Sequence, residues 1–187
     1  MSYKKMTTII AFIWLTVSCG YEHSIVTNLN EADDYYKGLT CTHFKLNNPS
    51  SVPDFQTLTS TTQFKTDTIY FQSKTENETL IGFINDSKTE FGLSCYGYIE
   101  IRTSGNHTFY LTSDDGANLY IDGRKIVTHD GLHSLTTKNS TVYLSQGIYK
   151  IRVDYFQNLG YKGLMLTYSE PGGIQTVIPK ERLYVNY

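Results

Sequence analysis

Apolar and polar residues alternate through much of the chain, which is the period-two pattern typical of half-buried β-strands. The clearest case is residues 148–155, where the apolar side chains share one face and the charged side chains the other. We find no amphipathic helical pattern over ten residues, so the pattern predicts an all-β sandwich or barrel. The same pattern predicts strands over residues 39–46, 68–71, 79–84, 92–102, 164–168 and 176–179.

The centre of the chain, residues 108–127, predicts two hairpin turns in succession. Phe109 and Leu111 alternate with polar neighbours and are followed by Ser-Asp-Asp-Gly at residues 113–116, which are turn-forming residues. A short strand then leads to Asp-Gly at residues 122–123, a strong hairpin signal, at which we expect Asp122 to have a structural role in the turn. The adjacent carboxylates of the first turn repel each other unless water or a cation screens them.

The N-terminus has the organisation of an export signal. Lys4 and Lys5 precede an apolar run at residues 9–15, which is too short to span a bilayer. We therefore predict a signal peptide over residues 1–18. Residues 19–37 are polar and predict a tether, and a single domain is expected over residues 38–187.

Composition narrows the functional classes. The 187 residues suit one domain, and 16 Tyr and 9 Phe with 4 Pro favour sheet structure. A net charge of −2 gives no basic field for nucleic acid. Nucleophile-elbow, phosphate-loop and zinc-protease motifs are all missing from the sequence, which argues against an enzyme.

The central turns resemble those of the PA14 domain family, a β-sandwich module of toxins, glycosidases and adhesins. The resemblance depends on residues 113–116, 119–123 and 144–157, and extends more weakly over residues 38–184. It implies an antiparallel, jelly-roll-like β-sandwich.

The end of the apolar N-terminal run resembles a second pattern, the cleavage box of bacterial lipoproteins. A small residue, Ser18, precedes Cys19, which the resemblance marks for lipidation. The family's usual leucine three residues before the cysteine is replaced by Thr16. Ordinary signal cleavage near Cys19 is the alternative.

The PA14 resemblance also implies a binding site. In its glycan-binding branch, the aspartates matching Asp114 and Asp115 are joined by a cis peptide and hold a calcium ion that binds sugar hydroxyls. A second loop, residues 156–162, would add the oxygen ligands Gln157 and Asn158. The alternative is a solvated acidic turn with no bound metal.

Two aromatic residues are further candidates for ligand contact. Tyr161 could stack on a sugar face, although it could equally be an ordinary tyrosine at the rim. His133 would be a polar contact beside the ligand loop. His129 and His133 are spaced as zinc ligands on a helix, but their flanks predict strand and turn, so the zinc interpretation is disfavoured.

The remaining cysteines, Cys41 and Cys95, are candidates for a disulfide in an oxidising compartment, and buried free thiols are the competing interpretation.

These observations predict an exported carbohydrate-binding module of the adhesin type, either an outer-membrane lipoprotein of the cell envelope or a secreted protein. Its partner would be a glycan or polysaccharide, and it would contact the membrane only through the lipid anchor. The alternative is a structural or protein-interaction module that docks to an envelope protein without binding sugar.

Overall fold

The structure, a computed structural model, describes residues 37–76, 78–80 and 90–186. Two short 3-10 helices, Phe55–Thr57 and Lys180–Arg182, interrupt an otherwise all-β chain within these residues. The strands are β1 (Leu39–Lys45), β2 (Thr62–Thr66), β3 (Tyr70–Gln72), β4 (Phe91–Ile101), β5 (Gly105–Asp114), β6 (Ala117–Ile121), β7 (Arg124–His129), β8 (Thr136–Leu144), β9 (Gly147–Gln157), β10 (Gly163–Ser169), β11 (Thr176–Val177) and β12 (Leu183–Tyr184).

The strands form two antiparallel sheets. The larger has the order β2-β1-β4-β9-β6-β7, and β12 pairs with β4. The smaller has the order β11-β10-β5-β8, and β3 pairs with β10. This arrangement confirms the predicted all-β sandwich.

The centre of the larger sheet is the pairing of β4 with β9, which runs from Phe91 opposite Gln157 to Ile101 opposite Gly147. Because side chains alternate along each strand, residues such as Leu93 and Val153 point into the core and are fully buried. Their neighbours point to the outer face of the same sheet. The pairing therefore separates an apolar interior from a polar outer surface.

Cys41 and Cys95 form a disulfide that links β1 to β4. They lie directly opposite each other in the antiparallel register, and both side chains are fully buried. Of the two interpretations left open by the sequence, the structure has the disulfide.

Most predicted strands lie within two or three residues of their observed positions, but several strands escaped the sequence pattern. The sequence pattern predicted none of the strands β2, β8 and β12. Thr79 and Leu80 lie outside any strand, and the rest of the strand predicted over residues 79–84 falls outside the described residues.

The predictions for the N-terminus cannot be placed on this structure. The signal peptide, Cys19 and all of the tether except Lys37 lie outside the described residues. Lys37 itself forms a β-bridge with Tyr184. Among the described residues, no helix has the length and apolarity needed to cross a membrane.

Replacing Cys41 and Cys95 together by alanine should destabilise the domain. The disulfide closes a loop of 54 residues in the unfolded chain, and a loop of that length corresponds to about 4 kcal/mol of stabilisation in the chain-entropy model. Urea unfolding of the double variant and of wild type measures the difference. Reduced wild type is the control and should unfold at a similar urea concentration; an unchanged midpoint for the double variant would contradict the prediction.

Candidate functional site

The two aspartates lie at the turn between the two sheets, where β5 ends at Asp114 and β6 begins at Ala117. The peptide bond that joins Asp114 to Asp115 is cis. Gly116 follows at a point of close packing, since a Cβ atom there would lie 2.5 Å from the Phe156 ring and 2.8 Å from backbone atoms of Gly131. The Phe156 amide also donates to the Gly116 carbonyl at 2.9 Å. The turn is thus fixed against the end of β9 and the loop after β7.

The Asp115 carboxylate is held by two loops. Its side chain is only 7% exposed. The backbone N–H of His133 donates to Oδ1 at 3.2 Å, and the backbone N–H of Asn158 donates to Oδ2 at 2.9 Å. Asp115 therefore joins the loop after β7 to the loop after β9 through its two oxygens.

The Asp114 carboxylate has a different environment. Burial is the main cause that raises its pKa to about 6, and repulsion by the neighbouring Asp115 charge adds to the effect. His133, the backbone N–H of Leu135 and Lys162 act in the opposite direction. The Asp114 carbonyl accepts a hydrogen bond from the Tyr155 hydroxyl at 2.6 Å. The neighbouring groups therefore only partly stabilise the ionised form of this partly buried carboxyl group.

Gln157 organises the loop between β9 and β10. Its side chain is fully buried. Its Oε1 lies 2.5 Å from the Tyr155 hydroxyl and shares that single hydroxyl proton with the Asp114 carbonyl. Its Nε2 donates to the carbonyls of Leu159 and Tyr161 at 3.1 and 2.9 Å. Calcium binding by Gln157 stays a prediction, and it would require the amide oxygen to exchange the tyrosine hydroxyl for the ion.

Asn158 is partly exposed and lies beside the acidic pair. Its backbone N–H contacts Asp115, and its side-chain Nδ2 donates to the Pro49 carbonyl at 3.2 Å. These contacts leave the side-chain oxygen as the group that would be offered to a ligand. Of the two predicted amide ligands, Asn158 is the more accessible.

Tyr161 and His133 occupy the rim of the same end of the sandwich. Tyr161 is 55% exposed, as a residue that stacks on a ligand must be. The His133 ring nitrogens lie 3.0 Å from the Ser134 carbonyl and 3.2 Å from the His129 carbonyl. The ring also stacks on that of His129 at a centroid distance of 4.0 Å.

His129 and His133 do not belong to a larger cluster of metal-ligating side chains among the described residues. Within the described residues, no group of three or more His, Cys, Asp or Glu side chains is placed to hold a metal ion. A calcium site here would need amide, carbonyl or external oxygens besides the two aspartates.

Lys162 is a supporting residue that the sequence did not reveal. Its side chain is 3% exposed, and Nζ donates to the carbonyls of Glu76, Glu78 and Gly160 at 2.9, 3.3 and 3.2 Å. A lysine is almost never buried without such partners. Lys162 thus ties the segment after β3 to the loop that carries Asn158 and Tyr161.

The fold is an antiparallel β-sandwich whose loops bring paired carboxylates and an exposed tyrosine to one end. The chain belongs to the PA14 domain family, whose model matches residues 37–182.

Comparisons with individual proteins agree on the fold. The chain is 30% identical over 98 residues to the anti-sigma-I factor RsgI3 of Acetivibrio thermocellus, covering 52% of this chain and only 15% of that protein's length. The PA14 domain of the antifreeze protein MpAFP is 18% identical with a TM-score of 0.69, covering 86% of this chain and 97% of that one. A PA14 sugar-binding domain from an RTX adhesin is 16% identical with a TM-score of 0.68, covering 80% and 98%.

Replacing Asp114 by asparagine should stabilise the metal-free domain at neutral pH. The folded pKa is about 6 and the ordinary value is 3.8, so ionising Asp114 costs stability as pH rises through this window, and the full cost is present above it. The variant should melt higher than wild type above about pH 6, with the gain vanishing below about pH 4. Thermal unfolding in EDTA across this range checks it, and Asp67→Asn, at an exposed surface carboxyl, is the control. An equal difference at all pH values would contradict the prediction.

Replacing Gly116 by alanine should destabilise the domain by about 1–3 kcal/mol, because the new methyl group meets fixed backbone and ring atoms. Gly147→Ala is the matched control, since its nearest contact would be a ring atom at an ordinary 3.8 Å. Urea unfolding of both variants measures the difference. Equal midpoints for the two variants would show that the turn can relax around the methyl group.

Proposed function

We propose that this chain is an exported, lipid-anchored carbohydrate-binding module of the adhesin type, with a calcium ion at the Asp114–Asp115 turn. Membership of the PA14 family supports the binding role, and one structural relative is described as sugar-binding. The sequence lacks nucleophile-elbow, phosphate-loop and zinc-protease motifs, so the proposed role is recognition rather than chemistry.

The observation that carries the proposal is the double contact of the Asp115 carboxylate. One oxygen accepts from the loop that carries His133 and the other from the loop that carries Asn158. Two loops and the acidic turn therefore converge on the same few oxygen atoms. Such convergence at one end of a sandwich is how loops on a rigid scaffold build a binding site.

The residues present suit calcium. Hard cations take carboxylate, amide and carbonyl oxygens. Asp114 and Asp115 offer carboxylates at the acidic turn, and Asn158 offers an amide oxygen from the neighbouring loop after β9. The Asp114 carboxylate is partly buried and repelled by Asp115, so a cation beside it would remove an unfavourable interaction. When bound, calcium would supply a positive centre for the oxygens of sugar hydroxyls.

The proposed site would be shallow, and its donor set predicts only modest affinity for calcium. Only two carboxylates contribute, and no third acidic or histidine ligand joins them in the part of the chain that the structure describes. Fewer charged ligands weaken calcium binding. The remaining ligands would be neutral oxygens, and Tyr161 would then face the sugar ring at the rim.

Anchoring through Cys19 and export to the cell envelope complete the proposal. The polar segment between Cys19 and Lys37 would hold the sandwich away from the membrane, so that it can reach a glycan on a neighbouring surface.

A second candidate function is favoured by one observation, the similarity to an anti-sigma-I factor. In that case the sandwich would dock to a protein of the envelope and would need neither calcium nor sugar.

Calcium titration followed by thermal unfolding tests the proposed site. A ligand that binds only the folded state raises its stability, by about 2.7 kcal/mol when its concentration is 100-fold above Kd. We expect millimolar calcium to raise the melting temperature of wild type and of the control Asp67→Asn, but not of Asp115→Asn. A glycan array with calcium and with EDTA then shows whether binding of sugar at this site follows the ion.

The outcomes separate the candidates. Loss of the thermal shift and of calcium-dependent glycan binding in Asp115→Asn supports the proposal. An equal shift in wild type and Asp115→Asn would contradict the metal site. A domain that binds an envelope protein equally well in EDTA, and binds no glycan with calcium present, would establish the docking function instead.

A further inference from the structure

A second concave site lies on the outer face of the larger sheet, formed by residues different from those of the acidic turn. It is a cleft of about 630 Å³ whose floor is formed by β4, β9 and β6. The loop at residues 52–56 forms one wall, and Phe55 packs it against Phe44 at a ring distance of 4.7 Å. Lys125 lines the cleft from β7.

The floor consists of two adjacent cross-strand rows. Because the three strands are in antiparallel register, residues two apart on each strand point out of the sheet side by side. The register aligns Ser94, Asp154 and Asn118 in one row and Tyr96, Arg152 and Tyr120 in the next.

The charged groups of the floor are held in place by each other. Ser94 Oγ donates to Asp154 Oδ1 at 2.7 Å, and Arg152 Nε lies 3.2 Å from Asp154 Oδ2 as an ion pair. The Arg152 guanidinium also lies 4.2 Å from the centroid of the Tyr120 ring. These contacts fix the orientation of the arginine while leaving its side chain 40% exposed, so its outer nitrogens can donate to a ligand.

The side-chain oxygen of Asn118 is a buried hydrogen-bond acceptor without a donor in the part of the chain that the structure describes. Its side chain is 2% exposed, and Oδ1 is buried without any hydrogen-bond partner among the described residues. Leaving a buried acceptor without a hydrogen bond destabilises the folded domain. Asn118 lines the cleft, so a ligand that brings a donor to this atom would recover that free energy.

We propose that this cleft binds a sugar ring of a saccharide chain without the help of a metal ion. The floor presents acceptors at Asn118 and Asp154 close to donors at Arg152 and Lys125. Vicinal hydroxyl groups both donate and accept, so a sugar ring matches this mixture better than a ligand with a single type of group. The ring of Tyr96, which is 40% exposed, offers an apolar surface to the C–H groups of the sugar.

The cleft shares no lining residue with the acidic turn or with the loop after β9, and Asp130 is its one lining residue from the loop after β7 that also carries His133. A polysaccharide long enough to reach both would be held at two points. Such two-point binding strengthens attachment without any new contact at either point.

Binding in EDTA tests the second site. The full chain and its variants would be probed with an array of neutral and uronic oligosaccharides, and the strongest ligand then titrated while amide NMR shifts are recorded. We expect shifts at strands β4, β6 and β9, and a loss of affinity of about tenfold or more in Asn118→Leu and in Lys125→Gln. Asn118→Leu removes an unsatisfied group, so it should leave the melting temperature unchanged or raised.

Lys138→Gln is the matched control for Lys125→Gln, since Lys138 is exposed on β8 of the other sheet. Its affinity should equal that of wild type. The proposal is overturned if no oligosaccharide binds in EDTA, or if binding in EDTA is the same in wild type, Asn118→Leu and Lys125→Gln. Loss of all binding in EDTA would leave the calcium site intact and remove only the second site.

Discussion

The antiparallel pairing of β4 with β9 is the constraint on which the rest of the domain depends. It extends over the whole length of both strands, from Phe91 opposite Gln157 to Ile101 opposite Gly147. A slip of one residue in this register would turn every buried side chain outward and every polar one inward. The same register places Gln157 and Asn158 at the end of the sandwich where the acidic turn lies. It also aligns the polar rows of the sheet-face cleft.

The acidic turn shows how a binding site and the stability of its scaffold oppose each other. Asp115 is a satisfied anion because two loops donate to it. Asp114 is neighbour to that fixed charge and partly removed from water, so its ionised form is disfavoured. In the proposed function, a cation beside Asp114 would offset this cost.

Sequence patterns succeeded wherever one face of a strand is apolar. Residues 148–155 alternate cleanly and lie within β9. Strand β8 was missed because its exposed residues are mostly polar, and its side chains pair with β5 through threonine hydroxyls such as those of Thr112 and Thr137 at 2.7 Å. Such a strand has no hydrophobic period to detect. Tertiary pairing, which a single sequence does not display, determines its structure.

The sites were predicted unevenly for a related reason. Asp114 and Asp115 are adjacent in sequence, so their chemistry is visible in the chain itself. Lys162 and Asn118 matter only because folding buries them, and a lysine or an asparagine in a sequence is expected to be exposed. Asp154 fell on the polar face of an amphipathic strand, yet it lies buried beside Ser94.

The disulfide between β1 and β4 has a mechanical consequence. Tension applied through the chain that precedes Lys37 would enter the domain along β1, where it acts lengthwise on the hydrogen bonds that hold this strand to β2 and β4. At Cys41, four residues further on, a covalent bond transfers it to Cys95 near the middle of β4. A pull on the chain before Lys37 would therefore be passed to the central strands of the sandwich before β1 could peel away.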